Sequence, residues 1–429
     1  MSLQLILGSS GSGKSHKLYK EIIDKSISNQ DVNYIIIVPE QFTLQTQKEI
    51  VRRHPYKGTM NIDILSFLRL AHRVFDETGE GNRPVLEDTG KSMILRKVLS
   101  LKKDELKFFG REANKIGFVS ELKSLISELF QYSVTESDIE NLNKQFQERP
   151  MLSNKLHDIS IIYKGFREYL EEKYITQEEI LDVLCDVISR SGLIKNSVIA
   201  FDGFTGFTPA QYKLLGLLMR ISKKVLVTVT IDEREDITSV GEEFRLFHLS
   251  KKTIHKLYKI AEENKVKIEK PIYPEMDKVN KVKRFSGHPA LGFLERNLFR
   301  YPHKTYKKDQ DEIQIHVAED ARAEVSFVVR EVLRLVREEN YRYQDIAIIS
   351  GDISQYGNIF EREFEKSEIP VFIDHKRELL NNPFVEMIRS MLDIVKNNFD
   401  YESVFRFLRC GLIDLSNNDL DVLENYIIA

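Results

Sequence analysis

The sequence predicts an α/β chain built on a parallel sheet, and three observations carry that prediction. First, after an apolar strand Leu3 to Leu7, three apolar runs are continuous rather than alternating: Tyr34-Ile-Ile-Ile-Val38, Val198-Ile-Ala-Phe201 and Val225-Leu-Val-Thr-Val-Thr-Ile231. Such runs suit strands covered on both faces, which is what helices packed on either side of a parallel sheet provide. Second, the strand Leu3 to Leu7 leads through a glycine-rich turn into an amphipathic segment and then into the run Tyr34 to Val38, the order of a βαβ unit. Third, the chain has 429 residues, of which 42% are hydrophobic and 30% charged, enough apolar material for two or more cores.

The turn after the first strand reads Gly8-Ser9-Ser10-Gly11-Ser12-Gly13-Lys14-Ser15 and fits G-x-x-x-x-G-K-[ST]. Glycines let a loop of this kind fold its N–H groups around a β-phosphate; a lysine at position 14 reaches the β/γ oxygens, and a hydroxyl at position 15 holds Mg²⁺. A bound nucleoside triphosphate is the expectation, a plain Ser/Gly-rich turn the alternative. Lys14 to Ile27 then carries Leu18, Ile22, Ile23 and Ile27 at helical spacing.

Between Pro84 and about Gly192 the pattern is almost wholly helical, through Met93, Ile94, Val98, Leu99, then Leu122, Leu125, Ile126, Leu129, then Ile159, Ile162, Phe166, Leu170. It is expected as a helical insertion, about 84–190, within a first domain spanning 1–285. The strand after it ends in Asp202-Gly203. In a P-loop ATPase such an aspartate holds the Mg²⁺ shell and a following glutamate polarises the attacking water, which glycine cannot do. Asp202 is therefore a candidate for the metal beside Ser15, with loop capping as the alternative, and binding without fast hydrolysis is the expectation.

The looser polar stretch from Glu269 to Asp311 suggests a linker, set at 286–311, before a second domain over 312–429. There Ile313-Gln-Ile-His-Val317 alternates like a strand, Ala321 to Glu339 is an amphipathic helix, and Ile346-Ala-Ile-Ile349 reads as a buried strand. The chain lacks the repeated strands of a complete second domain, so a fragment of a longer protein is expected. Cys185, in the stripe Leu181, Leu184, Cys185, Ile188, is expected to pack in a core, and neither it nor Cys410 argues for a disulfide-stapled secreted fold. With no basic leader and no apolar run of about 18 residues, a cytoplasmic protein without a membrane association is expected. A net charge of −3 gives no strong general field for nucleic acid. The acidic clusters Asp232-Glu-Arg-Glu-Asp236 and Asp309-Gln-Asp-Glu312 are expected as solvated loops.

Several segments in order carry a resemblance: the Leu-Ile-Leu-Gly8 phosphate loop, Val38-Pro-Glu-Gln41-Phe-Thr43, Ser66-Phe67-Leu-Arg69-Leu-Ala-His72-Arg73 and Asp202-Gly-Phe-Thr-Gly-Phe207-Thr-Pro209. Tyr341-Arg-Tyr-Gln-Asp345, Ile369-Pro370-Val-Phe-Ile-Asp374 and Asn382-Pro383 continue it. The chain resembles the AddB family, the B subunits of bacterial AddAB helicase-nucleases. The resemblance implies a RecA-like, superfamily 1 helicase fold that has lost motor activity, and a heterodimer with an active A subunit. It also implies a role in double-strand-break repair by homologous recombination, acting at duplex ends and scanning single-stranded DNA for a hotspot sequence. A C-terminal nuclease domain with a 4Fe-4S cluster belongs to the family, but its carboxylates and four cysteines are not found in this sequence. Gly203 and Ser350-Gly351 depart from active relatives in the direction of a dead motor. The strand-reading surface carried over is Gln41, Thr43, Phe67, Arg69 and His72, with Phe207 (and Phe204) in the last matched segment. A phenyl face can stack a base, an amide reads base edges and an arginine holds a phosphate. The alternative for Phe67, beside Leu65, Leu68 and Leu70, is a core helix.

Three functions compete: an ATP-binding, non-translocating DNA-recognition subunit; a working superfamily 1 helicase, which wants a glutamate after Asp202 and an arginine from the second domain; and a small-molecule P-loop kinase, which would use only the first 40 or so residues.

Overall fold

The computed structural model describes residues 1–79, 84–110, 115–132, 134–170, 173–176, 178–274, 283–373, 379 and 382–428, so that Asp374 of the matched segment 369–374 lies outside the described residues. The chain divides into two units, Met1–Ile313 and Gln314–Ala429.

In the first unit the strands are β1 (Ser2–Gly8), β2 (Asn33–Ile37), β3 (Ile62–Leu65), β4 (Val85–Leu86), β5 (Ile175–Thr176), β6 (Ser197–Phe201), β7 (Lys224–Thr230) and β8 (Lys267–Ile268). Six of them form one sheet in the order β3-β2-β6-β7-β1-β8, and every neighbouring pair is parallel. The register sets Leu3 opposite Val225 and Ile37 opposite Phe201. Alternate residues of the continuous runs feed two cores. Leu3, Leu5, Leu7, Ile35, Ile37, Ile199, Phe201, Val225 and Val227 face one, while Ile6, Tyr34, Ile36, Ala200 and Leu226 face the other. Burial on both faces is the physical reason these strands carry no polar alternation. β3 and β8 were not singled out in the sequence: β3 is a short edge strand containing Asp63, and β8 is two exposed residues.

The helices of this unit are α1 (Lys14–Ser28), α2 (Thr43–Arg53), α3 (Phe67–Thr78), α4 (Asp88–Leu101), α5 (Ile116–Gln131), α6 (Glu136–Gln145), α7 (Pro150–Leu170), α8 (Ile180–Val187), α9 (Gly192–Lys195), α10 (Pro209–Ile221), α11 (His248–Glu263) and α12 (Pro289–Asn297). Helices α4 to α7 enclose a core of their own, including Leu95, Leu99, Leu122, Ile126, Ile162 and Phe166. Buried Asp158 ties this insertion together by accepting the backbone N–H groups of Lys107, Phe108 and Phe109, each at 2.8 Å. The helical interval is not uniform, however. Ile180, Leu184, Cys185 and Ile188 pack in the main sheet core, so α8 belongs with the sheet. Within the stretch expected as a linker, α12 is a formed helix that starts at Pro289, and Ala290 is buried.

The second unit contains α13 (Ala321–Glu338), α14 (Ile353–Lys366), α15 (Pro383–Lys396), α16 (Tyr401–Leu408) and α17 (Asn417–Ile428). Asp320 and Asp352 cap α13 and α14 by accepting backbone N–H groups of the first turn. Val325, Val329 and Val332 meet Phe360, Phe364 and Ile369 in a small core. The strands expected over 313–317 and 346–349 are a correction: both segments join no ladder among the described residues. Ile349 is 95% exposed and Ile315 92%. A strand is stable only when its N–H and C=O groups find a neighbour, and α13 and α14 can cover side chains but cannot pair a backbone.

Candidate nucleotide site and strand-reading surface

β1 ends at Gly8 and delivers the chain into the loop that precedes α1. Gly11 and Gly13 have φ of 77° and 95°, the left-handed region that a side chain disfavours. At Gly8 the space is the constraint, since a Cβ there would come within 2.5 Å of Ser12 Oγ. Lys14 is buried and its Nζ donates to the Ser9 carbonyl at 2.8 Å, which folds the ammonium back over the loop. Burial lowers the Lys14 pKa, Asp202 pulls it back, Arg284 pushes it down again, and the outcome is about 8. Ser10 stands exposed, whereas the Ser9 and Ser12 hydroxyls are buried with no hydrogen-bond partner among the described residues. Orphaned donors, a loop turned by left-handed glycines and a buried lysine ammonium are together what a polyphosphate would satisfy.

Asp202 follows β6, and β7 separates β6 from β1 in the sheet. Its carboxylate accepts three hydroxyls: Ser15 Oγ at 3.1 Å and Thr228 Oγ1 at 2.6 Å on Oδ1, and Tyr19 Oη at 2.6 Å on Oδ2. Tyr19 lies four residues beyond Ser15 on α1, so both side chains leave the same helix face. Burial, with the Asp202 charge and hydrogen bond, raises the Tyr19 phenol well above its ordinary value and keeps it a donor. Gly203 has φ of 80°, and a Cβ there would meet Pro39 and Phe42 no closer than 3.6 Å. Space for a side chain exists, but a glutamate would have to adopt the left-handed backbone, at about 1–2 kcal/mol. A nucleotide-borne Mg²⁺ needs no large acidic cluster, and the hydroxyl of Ser15 beside the carboxylate of Asp202 fits one.

The candidate DNA residues cluster where β2 and β3 end, and they divide. Gln41, Arg69 and His72 are exposed, and Arg69 Nε pairs with Glu40 Oε1 at 3.2 Å. His72 stands edge-on to Phe75, with ring centroids 6.4 Å apart. Thr43 is buried and donates its hydroxyl to the Glu40 carbonyl at 2.9 Å. Phe67 is only 8% exposed, and its ring centroid lies 5.8 Å from that of Phe201 and 5.4 Å from that of Phe204. Phe207, half-buried, sits in the same ring cluster, 5.2 Å from Phe204. The core-helix alternative therefore describes Phe67: its face cannot stack a base without leaving this cluster. An exposed phenyl ring on this surface is that of Phe42.

A family model described as ADDB, N-terminal, matches residues 5–295. The chain belongs to the ADDB N-terminal family. A second model, the UvrD-like helicase C-terminal domain, matches residues 279–428. The whole chain is 51% identical to a Lachnoclostridium phytofermentans protein named as the B subunit of an ATP-dependent helicase/deoxyribonuclease. Proteins of the same name from Clostridium kluyveri and Clostridium tetani are each 36% identical over the whole chain. The chain spans 37% of the length of each of these relatives. The fold is thus α/β of the RecA-like P-loop type, with a mostly helical stretch between β4 and β6. Among the described residues no helix is long and apolar enough to cross a membrane.

Within this ADDB-type chain the residues that sequence reasoning missed are Tyr19 and Thr228. Each had a readable signal: Tyr19 repeats the helix face of Ser15, and Thr228 is a polar residue inside an otherwise apolar buried run. The Asp232 cluster is a correction in part: Glu233, Arg234 and Asp236 are exposed, as a solvated loop would have them, but Asp232 and Glu235 are not. Asp232 is buried and pairs with Arg234 at 2.5 Å and Arg300 at 2.8 Å, while Glu235 meets Lys251 at 2.8 Å and Arg300 at 3.2 Å. Burial pushes the Asp232 carboxyl up, and hydrogen bonds and charge from Arg234 and Arg300 outweigh it, leaving the pKa below its ordinary value. Through Arg300 this network holds the segment after α12 on the first unit.

Proposed function

We propose that this chain is the ATP-binding, non-translocating helicase-like part of a DNA-repair helicase-nuclease subunit. One observation carries the reading: Asp202 is engaged by three hydroxyls and followed by Gly203 in a left-handed backbone, so the position next to the metal ligand offers no group to polarise water. The amides of Gly8 to Ser15, Lys14 and the Ser9 and Ser12 hydroxyls would hold the phosphates, and Ser15 with Asp202 would hold Mg²⁺. When bound, the metal neutralises phosphate charge. The chain's own residues grip and orient: the hydroxyls of Ser15, Tyr19 and Thr228 hold the Asp202 carboxylate in place.

In this reading Gln41, Arg69 and His72, with Phe42 between them and the loop of Gly203, meet single-stranded DNA, including the frayed strand of a duplex end. Thr43, Phe67 and Phe207 support that surface from beneath. Translocation falls to a partner A subunit in a cytoplasmic heterodimer. Nuclease chemistry and the iron–sulphur cluster belong to the portion of the relatives that this chain does not span. A small-molecule kinase would leave the match over residues 5–295 without meaning. The test is Mg-ATP affinity by calorimetry and ATP turnover with and without single-stranded DNA, each repeated for Lys14→Ala. Binding lost in the variant with no DNA-stimulated turnover supports the proposal. Lys14-dependent turnover raised by DNA replaces it with a working helicase.

A further inference from the structure

Arg284 lies about 270 residues beyond the phosphate loop in sequence, in the turn Lys283–Phe285 ahead of α12, yet its side chain rests on that loop. A Cβ built on Gly11 would fall 2.9 Å from Arg284 Nε, 3.0 Å from Cδ and 3.1 Å from Cζ. The fold explains how it gets there. After β8 the chain continues alongside β1, with Leu7 donating to the Ile272 carbonyl at 2.9 Å and Ile272 to the Leu5 carbonyl at 2.8 Å. Pro274 then reaches Gly8, within 3.3 Å of where a Cβ would stand. This strip carries the polypeptide to the mouth of the loop independently of the phosphate-loop motif.

Two cations then share one small space. Arg284 acts on Lys14 through charge, and no carboxylate pairs with Arg284 among the described residues. Like charges held together without an anion are unfavourable, and the buried, unpartnered Ser9 and Ser12 hydroxyls mark the same spot as one where acceptor oxygens are wanting. We infer that Arg284 is a nucleotide ligand of this chain, a second cation that completes the phosphate cradle and favours a triphosphate over a diphosphate. A guanidinium presents a fixed fork of donors suited to phosphate oxygens, and an added cation discriminates by ligand charge. The inference rests on the nucleotide reading of the loop, and it concerns a residue of the first unit.

The experiment is calorimetry of ATP and ADP, with Mg²⁺, on the full chain as wild type, Arg284→Ala, Arg284→Lys and Lys14→Ala, with thermal melting as the control for folding. Arg284→Ala is expected to weaken ATP about tenfold and ADP less than about threefold, with Arg284→Lys intermediate. An unchanged ATP-to-ADP ratio in a wild-type-like binder overturns the role of Arg284 alone. Absence of nucleotide binding in the wild type overturns the loop's nucleotide reading, and this inference with it.

Discussion

The phosphate loop and the candidate strand-reading surface lie at the same edge of one parallel sheet, where β1, β2 and β3 all end, but they are built in opposite ways. The loop is made largely of backbone, with left-handed glycines and a lysine folded inward, and Asp202 is clamped by Ser15, Tyr19 and Thr228. The surface is made of side chains, and half of those expected to face DNA face the core instead. A phosphate site can be packed because its donors are main-chain groups that burial leaves in place. A base-reading site must leave its side chains in water, where they compete with the sheet's own demand for apolar cover.

The sharpest break in that comparison is Phe67→Ala. If Phe67 is a core ring, the variant loses about 3–5 kcal/mol of stability in urea unfolding, far more than a surface stacking residue would cost. A wild-type unfolding midpoint with lost DNA binding would return Phe67 to the surface. Next in size, Lys14→Ala should weaken Mg-ATP about 100-fold by calorimetry while leaving the unfolding midpoint nearly unchanged.

Tyr19→Phe sharpens the loop side of the comparison. It removes one hydroxyl from Asp202 and keeps the ring packing, so Mg-ATP affinity should fall about tenfold while metal-free ATP affinity stays within about twofold. Equal losses with and without metal would disconnect Tyr19 from the metal side of the site. The pH profile is comparable in size. Lys14, with a pKa of about 8 without ligand, is charged below that pH, and phosphate can only raise the value. Binding therefore takes up a proton, and ATP affinity should decline towards about tenfold per pH unit above pH 8, with Lys14→Arg giving a flat profile at whatever affinity it retains. The smallest effect belongs to the surface. Arg69→Ala breaks only the exposed pair with Glu40 and should leave stability within about 1 kcal/mol. Its weakening of single-stranded DNA binding should be modest and diminish with salt, and a salt-independent loss would argue against a phosphate contact.

Much of the first unit was legible because its strands are buried on both faces, which writes them as unbroken apolar runs, and because a phosphate loop needs glycines at set intervals. β3 and β8 were not, since edge strands carry no such pressure. Phe67 illustrates the ambiguity that remains: one aromatic residue at the start of a helix reads equally as a base-stacking platform or as a core ring, and only the positions of Phe201, Phe204 and Phe207 choose between them. Asp232 misled for the complementary reason, since its partner Arg300 is 68 residues away.

By itself the sequence determined the local chemistry: the glycine loop with its lysine and serine, the aspartate ending β6 and the missing glutamate after it. These are decided by residue type at short spacing, where backbone conformation and side-chain reach are local. Only the tertiary structure decided what converges on that chemistry. Thr228 arrives from β7, Tyr19 from the buried face of α1 and Arg284 from beyond β8, because parallel strands bring their ends to one edge whatever their separation along the chain. The extended segments of the second unit make the same point in reverse: Ile346 to Ile349 has the composition of a buried strand, but a strand exists only where another backbone completes its hydrogen bonds.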